Sequence, residues 1–176
     1  HVSGFDYYLN FLSRIGLDER VRTQAGLEAE FRDRSGLKGK VEGSSLPPPL
    51  HLASSMINFP FISFRDKASL AGPLISALLF EYNDDDNRIT FGDWLRRRGA
   101  TERSIERLWN QIIVPTLNAR VDEVSVPMGM MILKRVLLDK GGGKLGRLDC
   151  ELGEIGLKAS EFVESRGGEV RLSSPV

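Results

Sequence analysis

The densest group of chemically able side chains lies between Arg88 and Arg107. There, Arg88, Arg96, Arg97, Arg98, Arg103 and Arg107 stand against only Asp93, Glu102 and Glu106. Arginines near a helix end can simply complement the negative pole of the helix dipole. The sharper reading is contact with an anionic lipid or a diphosphate. Gly141-Gly142-Gly143-Lys144 joins glycine to lysine, but Leu145 stands where a phosphate loop needs Ser or Thr. A flexible connector is expected there, and no GxGxxG follows a strand anywhere. Asp84-Asp85-Asp86 lacks the alternating oxygen ligands and distal Glu of a calcium loop and reads as solvated, breaker-rich chain. His51 has no Asp, Ser or Cys partner implied by spacing, so a structural or surface role is expected. Cys150 sits between Asp149 and Glu151, without the cations that turn a thiol into a nucleophile. Trp94 and Trp109 fall on apolar faces and are expected in the core. Residue chemistry alone therefore leads to a helical cap or substrate-holding domain.

Composition narrows the setting. Lys plus Arg and Asp plus Glu each number 24, so the chain as a whole has no electrostatic case for nucleic acid. With 41% hydrophobic and 27% charged residues in 176, it has the make-up of a globular chain of one domain, or one and part of another. A single cysteine excludes an internal disulfide and points to a reducing compartment. Two histidines and one cysteine are too few for a four-ligand zinc site. No run reaches the roughly 18 apolar residues that span a bilayer, so a soluble or at most peripheral protein is expected. The chain opens on His1-Val2-Ser3-Gly4 and closes just after an expected strand, which suggests an internal piece of a longer protein.

The elements that must position these residues are mostly helical. Phe5, Tyr8, Leu9, Leu12 and Ile15 share one face of a first helix that Gly16 should end. Leu27, Ala29 and Phe31 alternate with charged residues as a half-buried strand, and Ser35-Gly36 turns it toward a return over Leu37 to Val41. Pro47-Pro48-Pro49 is a stiff connector before a short helix from Leu50 to Ile57. Ser63 with Asp66 resembles a capping box, and Leu70, Leu74, Ile75, Leu78 and Leu79 form an apolar face behind it, with Pro73 kinking or dividing the run. Thr90 and Gly99 bracket a helix carrying Phe91, Trp94 and Leu95, and Thr101 caps a longer one that Pro115 should end or kink. Asp122 is the expected cap of the next helix, and a last one runs from Leu152 to Ser165. Gly167-Gly168 then leads into a strand over Glu169 to Leu172. The pattern is α+β.

One stretch carries a family likeness. Thr90-Phe91-Gly92-Asp93-Trp94-Leu95-Arg96-Arg97-Arg98-Gly99, then Ser104 to Trp109, then Val114-Pro115-Thr116-Leu117-Asn118-Ala119-Arg120-Val121-Asp122-Glu123-Val124-Ser125 resemble the middle of the squalene-associated FAD-dependent desaturases of hopanoid clusters. These are the hydroxysqualene dehydroxylases, relatives of phytoene desaturases within the flavin amine-oxidase superfamily. His1-Val2 resembles the tail of the family's Gly-Gln-His-Val element, Ser63 to Lys67 a helix start, and Arg166 to Val176 the strand returning to the FAD domain. The segment from Lys140 to Gly156 and the acidic loop at Asp84 depart from the family pattern.

The resemblance implies a mostly helical substrate-binding domain over 1–166, with a small sheet, inserted in a Rossmann-like FAD domain that 167–176 begins to re-enter. It implies an apolar tunnel for a thirty-carbon isoprenoid, with the redox chemistry left to the flavin. The implied activity of the full-length protein is removal of the hydroxyl of hydroxysqualene to give squalene. Within the class the alternative is a carotenoid-type (phytoene) desaturase; outside it, a non-enzymatic helical binding module. The resemblance assigns only Val176 and His1 to the cofactor, names no catalytic residue, and implies that this chain alone is inactive and holds no FAD. It also implies peripheral contact at the inner face of the cytoplasmic membrane, where Phe59-Pro60-Phe61-Ile62-Ser63-Phe64 lies beside Arg65 and Lys67. The bland alternative packs those phenylalanines into the core.

Overall fold

In helix α1 (Asp6–Arg14) Leu12 is fully buried, and Gly16 ends the helix with φ 77°, a left-handed turn open to glycine. The computed structural model describes residues 6–48, 50–138 and 143–174. Leu12, Ile15 and Leu17 centre a small core with strands β1 (Val21–Thr23) and β4 (Gly146–Leu148) and helix α9 (Leu152–Glu164), which contributes Ile155, Ala159 and Phe162. β1 and β4 pair antiparallel, Val21 opposite Leu148. Three-residue strands carry no readable period, so this pairing of distant segments was not legible in the sequence.

The expected hairpin forms between β2 (Glu28–Arg32) and β3 (Lys38–Glu42), with Arg32 opposite Lys38 and Gly36 at φ 88° in the turn. The poor strand formers of β3 each have a local reason. Lys40 bridges Glu28 and Glu42 at 3.1 Å each. A Cβ on Gly39 would press into the Phe61 ring and Pro60.

The main core takes in most of the remaining elements. A 3-10 turn over Leu50–Leu52 leads into α2 (Ala53–Asn58). The Ser63–Asp66 capping box starts α3 (Phe64–Ala68), and α4 (Ala71–Leu78) follows as a separate helix with Pro73 in its first turn. The Thr90 hydroxyl accepts from Asp93 N at 3.1 Å to cap α5 (Phe91–Arg97), and Gly99 ends the turn at φ 90°. Thr101 caps one continuous helix in three parts: α6 (Glu102–Ser104), a π-helical stretch Ile105–Trp109, and α7 (Asn110–Leu117). Pro115 stays inside α7, which ends two residues later at Leu117, ahead of left-handed Asn118 (φ 52°). Helix α8 (Val126–Ile132) continues into a second π-helical stretch, Leu133–Leu138. The architecture is α+β, helical with two small two-stranded sheets.

Two expectations are corrected and a third is refined. Glu169–Leu172 is not a strand: no described strand lies beside it, and without a ladder partner the segment takes turns, with Arg171 paired to Glu169 at 2.8 Å. Asp122 is not a cap: α8 starts from Ser125, and the Asp122 carboxylate is drawn to Arg96 at 2.6 Å. The Asp84 loop is a capped 3-10 turn, Asp84–Arg88, in which Asp86 accepts from Asn83 N. The Gly141-Gly142 connector lies outside the described residues, as do His1 and Val176.

Candidate functional site

Of the arginines between Arg88 and Arg107, Arg96, Arg98 and Arg103 have partners in the protein itself. Arg96 donates from Nε to Glu102 Oε1 and from Nη1 to Asp122 Oδ1, both at 2.6 Å. These bonds raise the pKa of Arg96 and hold both carboxyls below their usual range. A side chain on Gly92 would collide with Asp122 there, so the glycine makes room for the pair. Arg98 stacks on Trp94, 3.9 Å from the ring centre, and Arg103 lies 3.9 Å from the buried carboxylate of Asp66. This group is therefore a latch between α5, α6 and the 120–125 turn more than an anion-binding face.

Arg97 is exposed and unpaired among the described residues, and Arg107 lies elsewhere. It projects from the π-helical stretch into a cleft of about 490 Å³ that also holds Arg32, Asp33, Arg34 and Ser35 of the β2–β3 turn. Phe31, Phe59 and Phe61 line the same cleft, Phe59 packing edge-on to Phe31 at 5.4 Å and tilted against Phe61 at 5.1 Å. Both acids in the cleft are engaged, each through one carboxylate oxygen. Asp33 accepts from Ser35 Oγ (2.6 Å), Ser35 N (2.8 Å) and Leu37 N (3.0 Å), and its pKa is lowered, chiefly by the Ser35 hydroxyl. Glu106 is ion-paired to Arg120 and accepts from Asn110 Nδ2. Arg32, Arg34 and Arg107 make no ion pair or side-chain hydrogen bond among the described residues, although the charge of Arg107 adds to what lowers the Asp33 pKa. The sequence singled out Arg107 but not its companions, because Arg32 and Arg34 lie some 70 positions away on the hairpin.

A second surface is apolar. Ile75 and Leu78 of α4 and Leu79 at its end stand at helical spacing and are 58, 54 and 78% exposed. The helix is apolar on its inner side too, where Pro73 and Ala77 are buried. Such an all-round apolar helix is expected under cover, and its outer face is uncovered among the described residues. Phe64 is 86% exposed at the start of α3, while Phe59, Phe61 and Ile62 are core residues.

The other singled-out residues are structural. His51 is buried with Nδ1 unpartnered among the described residues, and burial lowers its pKa. Its backbone closes the 44–51 loop, its carbonyl accepting from Ser44 N at 2.8 Å. Burial, followed by Glu154, raises the Cys150 pKa, away from thiolate. Trp94 and Trp109 are both core residues at 2% exposure.

Among the described residues no strand-to-helix turn fits the pyrophosphate of FAD. The described strands form two antiparallel ribbons, and the one strand that runs directly into a helix, β4 into α9, turns through Asp149, Cys150 and Glu151, which would repel a pyrophosphate.

No family model matches the chain. It is 28% identical over 173 residues to a 15-cis-phytoene desaturase of Solanum lycopersicum, covering 95% of this chain and 30% of the relative. With the Capsicum annuum 15-cis-phytoene desaturase it shares 28% over 136 residues (75% of this chain, 23% of the relative), and with that of Synechococcus elongatus 22% over 147 (81% and 31%). The chain is similar to phytoene desaturases. It spans about a third or less of the length of these curated relatives. Among the described residues no helix is long and apolar enough to cross a membrane.

Proposed function

We propose that this chain is the middle portion of a FAD-dependent oxidoreductase that acts on a long isoprenoid. The observation that carries the reading is the similarity to 15-cis-phytoene desaturases along nearly the whole chain, 95% of it in the tomato relative. The chain's own chemistry supports it. The outer face of α4 is apolar, and the cores hold almost no ionisable side chain beyond Asp66 and His51. A wall of this kind binds and orients an apolar chain and excludes water, leaving electron transfer to a flavin held by the remainder of the parent protein.

Two substrates fit this reading. Hydroxysqualene, reduced to squalene, follows from the likeness of the Thr90–Ser125 block to hydroxysqualene dehydroxylases. A phytoene-type carotenoid precursor is favoured by the names of the matched relatives. The test is product analysis of the full-length parent supplied with each. Squalene from hydroxysqualene establishes the dehydroxylase, and a product with a longer conjugated chromophore from phytoene establishes the desaturase. A parent that carries no flavin and converts neither overturns the proposal.

A further inference from the structure

We propose that the cleft between the β2–β3 turn and the π-helical stretch Ile105–Trp109 binds a phosphate or diphosphate ester, held by Arg32, Arg34 and Arg107. Three arginines line this cleft against two acids. Glu106 is ion-paired to Arg120 outside the three, and Asp33, whose Oδ1 is held by its own turn, is the one remaining countercharge. Elsewhere on the same helices the pattern is the reverse: Arg96 and Arg103 have acids beside them and Arg98 has the Trp94 ring. Like charges gathered in one concavity repel, and a bound anion removes that repulsion. Arginine suits phosphate in particular, because its planar fork offers paired donors to two oxygens.

The cleft also selects for more than a bare ion. Its volume of about 490 Å³ falls in the range that small organic ligands occupy. Phe31, partly exposed over the buried rings of Phe59 and Phe61, gives one side an apolar surface, and Gln111 adds an amide. The expected ligand therefore carries a phosphate group on an organic body. That chemistry comes from two sources, a soluble phosphate ester or the headgroup of an anionic lipid. The inference does not depend on the flavin reading.

The test uses the 176-residue protein with two probes: inorganic pyrophosphate by titration calorimetry, and phosphatidylglycerol against phosphatidylcholine vesicles by co-sedimentation. Arg107→Ser and, separately, Arg34→Ser should each weaken binding about tenfold, the loss of a charge-assisted contact, and added NaCl should weaken it further. Arg97→Ser is the control, an exposed arginine outside the cleft with no ion pair among the described residues. Arg34 lies in an exposed turn, so its variant reports even if Arg107→Ser fails to fold, which circular dichroism would show. Pyrophosphate binding that the cleft variants weaken and Arg97→Ser spares supports a soluble ester. Binding confined to phosphatidylglycerol vesicles, with the same variant pattern, supports a lipid headgroup. Absence of binding to both probes, or equal weakening by Arg97→Ser, overturns the proposal.

Discussion

At the scale of single residues, Asp66 carries the most connections. It is 5% exposed; one carboxylate oxygen accepts from Ser63 N (2.9 Å) and Ser63 Oγ (2.6 Å), the other from Thr101 Oγ1 (2.6 Å). It thus caps its own helix and ties α3 to the cap of α6. The hydroxyls of Ser63 and Thr101, in that order, hold its pKa at about 2, below the 3.8 of a free aspartate. A depressed carboxylate stabilises the fold fully above the unfolded pKa and loses that contribution as pH falls through the folded value. Asp66→Asn replaces one acceptor oxygen by a donor facing other donors. It should cost about 2 kcal/mol at pH 7, where a cap and buried charged hydrogen bonds are both disturbed. Urea unfolding at a series of pH values checks this: the gap between wild type and variant should narrow from pH 4 toward pH 2. A gap that stays constant over that range would remove the carboxylate's charge from the account.

Between elements, the closest fit is where α5 meets α8. Phe91 N donates to Val124 O and Gly92 N to Val121 O, both at 2.8 Å, and Val126 N donates to Ile89 O at 3.1 Å, so the two helix starts are laced together. Phe91 is completely buried, stacked on Trp94 at 5.8 Å and edge-on to Trp109 at 6.3 Å. A Cβ on Gly129 would sit within the Phe91 ring, and both helices are held by these backbone bonds, so neither can shift cheaply. Gly129→Ala should therefore destabilise by roughly 3 kcal/mol, at the upper end of overpacking costs. Gly156 of α9 has open space around its Cβ direction, and Gly156→Ala should instead stabilise by about 1 kcal/mol through helix propensity. Opposite shifts in the denaturation midpoint are the expected result. A shift of the same sign for both would mean that packing against Phe91 does not govern position 129.

For the molecule as a whole, the question is what its apolar outer surfaces meet. The exposed face of α4 fits the proposed isoprenoid wall, whereas Phe64 stands beside exposed Arg65, with Lys67 Nζ donating to Ile57 O at 2.6 Å. An aromatic ring flanked by cations suits the headgroup boundary, and we propose it as the point where the parent enzyme touches a bilayer. Phe61, at 8% exposure, belongs to the core and cannot serve in such a test. Phe64→Ser in the full-length parent should weaken co-sedimentation with phosphatidylcholine vesicles about tenfold, the scale of one phenylalanine withdrawn from lipid. Undiminished binding by a folded variant would place the contact elsewhere.

The sequence by itself determined what depends on neighbours a few positions apart. The Ser63, Thr90 and Thr101 caps, the positive-φ glycines at 16, 36 and 99 and the β2–β3 hairpin were all legible, because each is decided within one turn or one short loop. The core roles of Trp94 and Trp109 followed from helical spacing. Tertiary structure decided whatever joins distant segments. Asp122 reads locally as a cap, yet ionic attraction to Arg96 across 26 positions outweighs a capping bond worth about 1 kcal/mol. Residues 169–172 have the composition of a strand, but a strand exists only through hydrogen bonds to another, and none is beside them among the described residues. The arginine cleft is of the same kind. No spacing rule brings Arg32 and Arg34 to Arg107; the hairpin's packing through Phe31 and Phe59 against the helical core does.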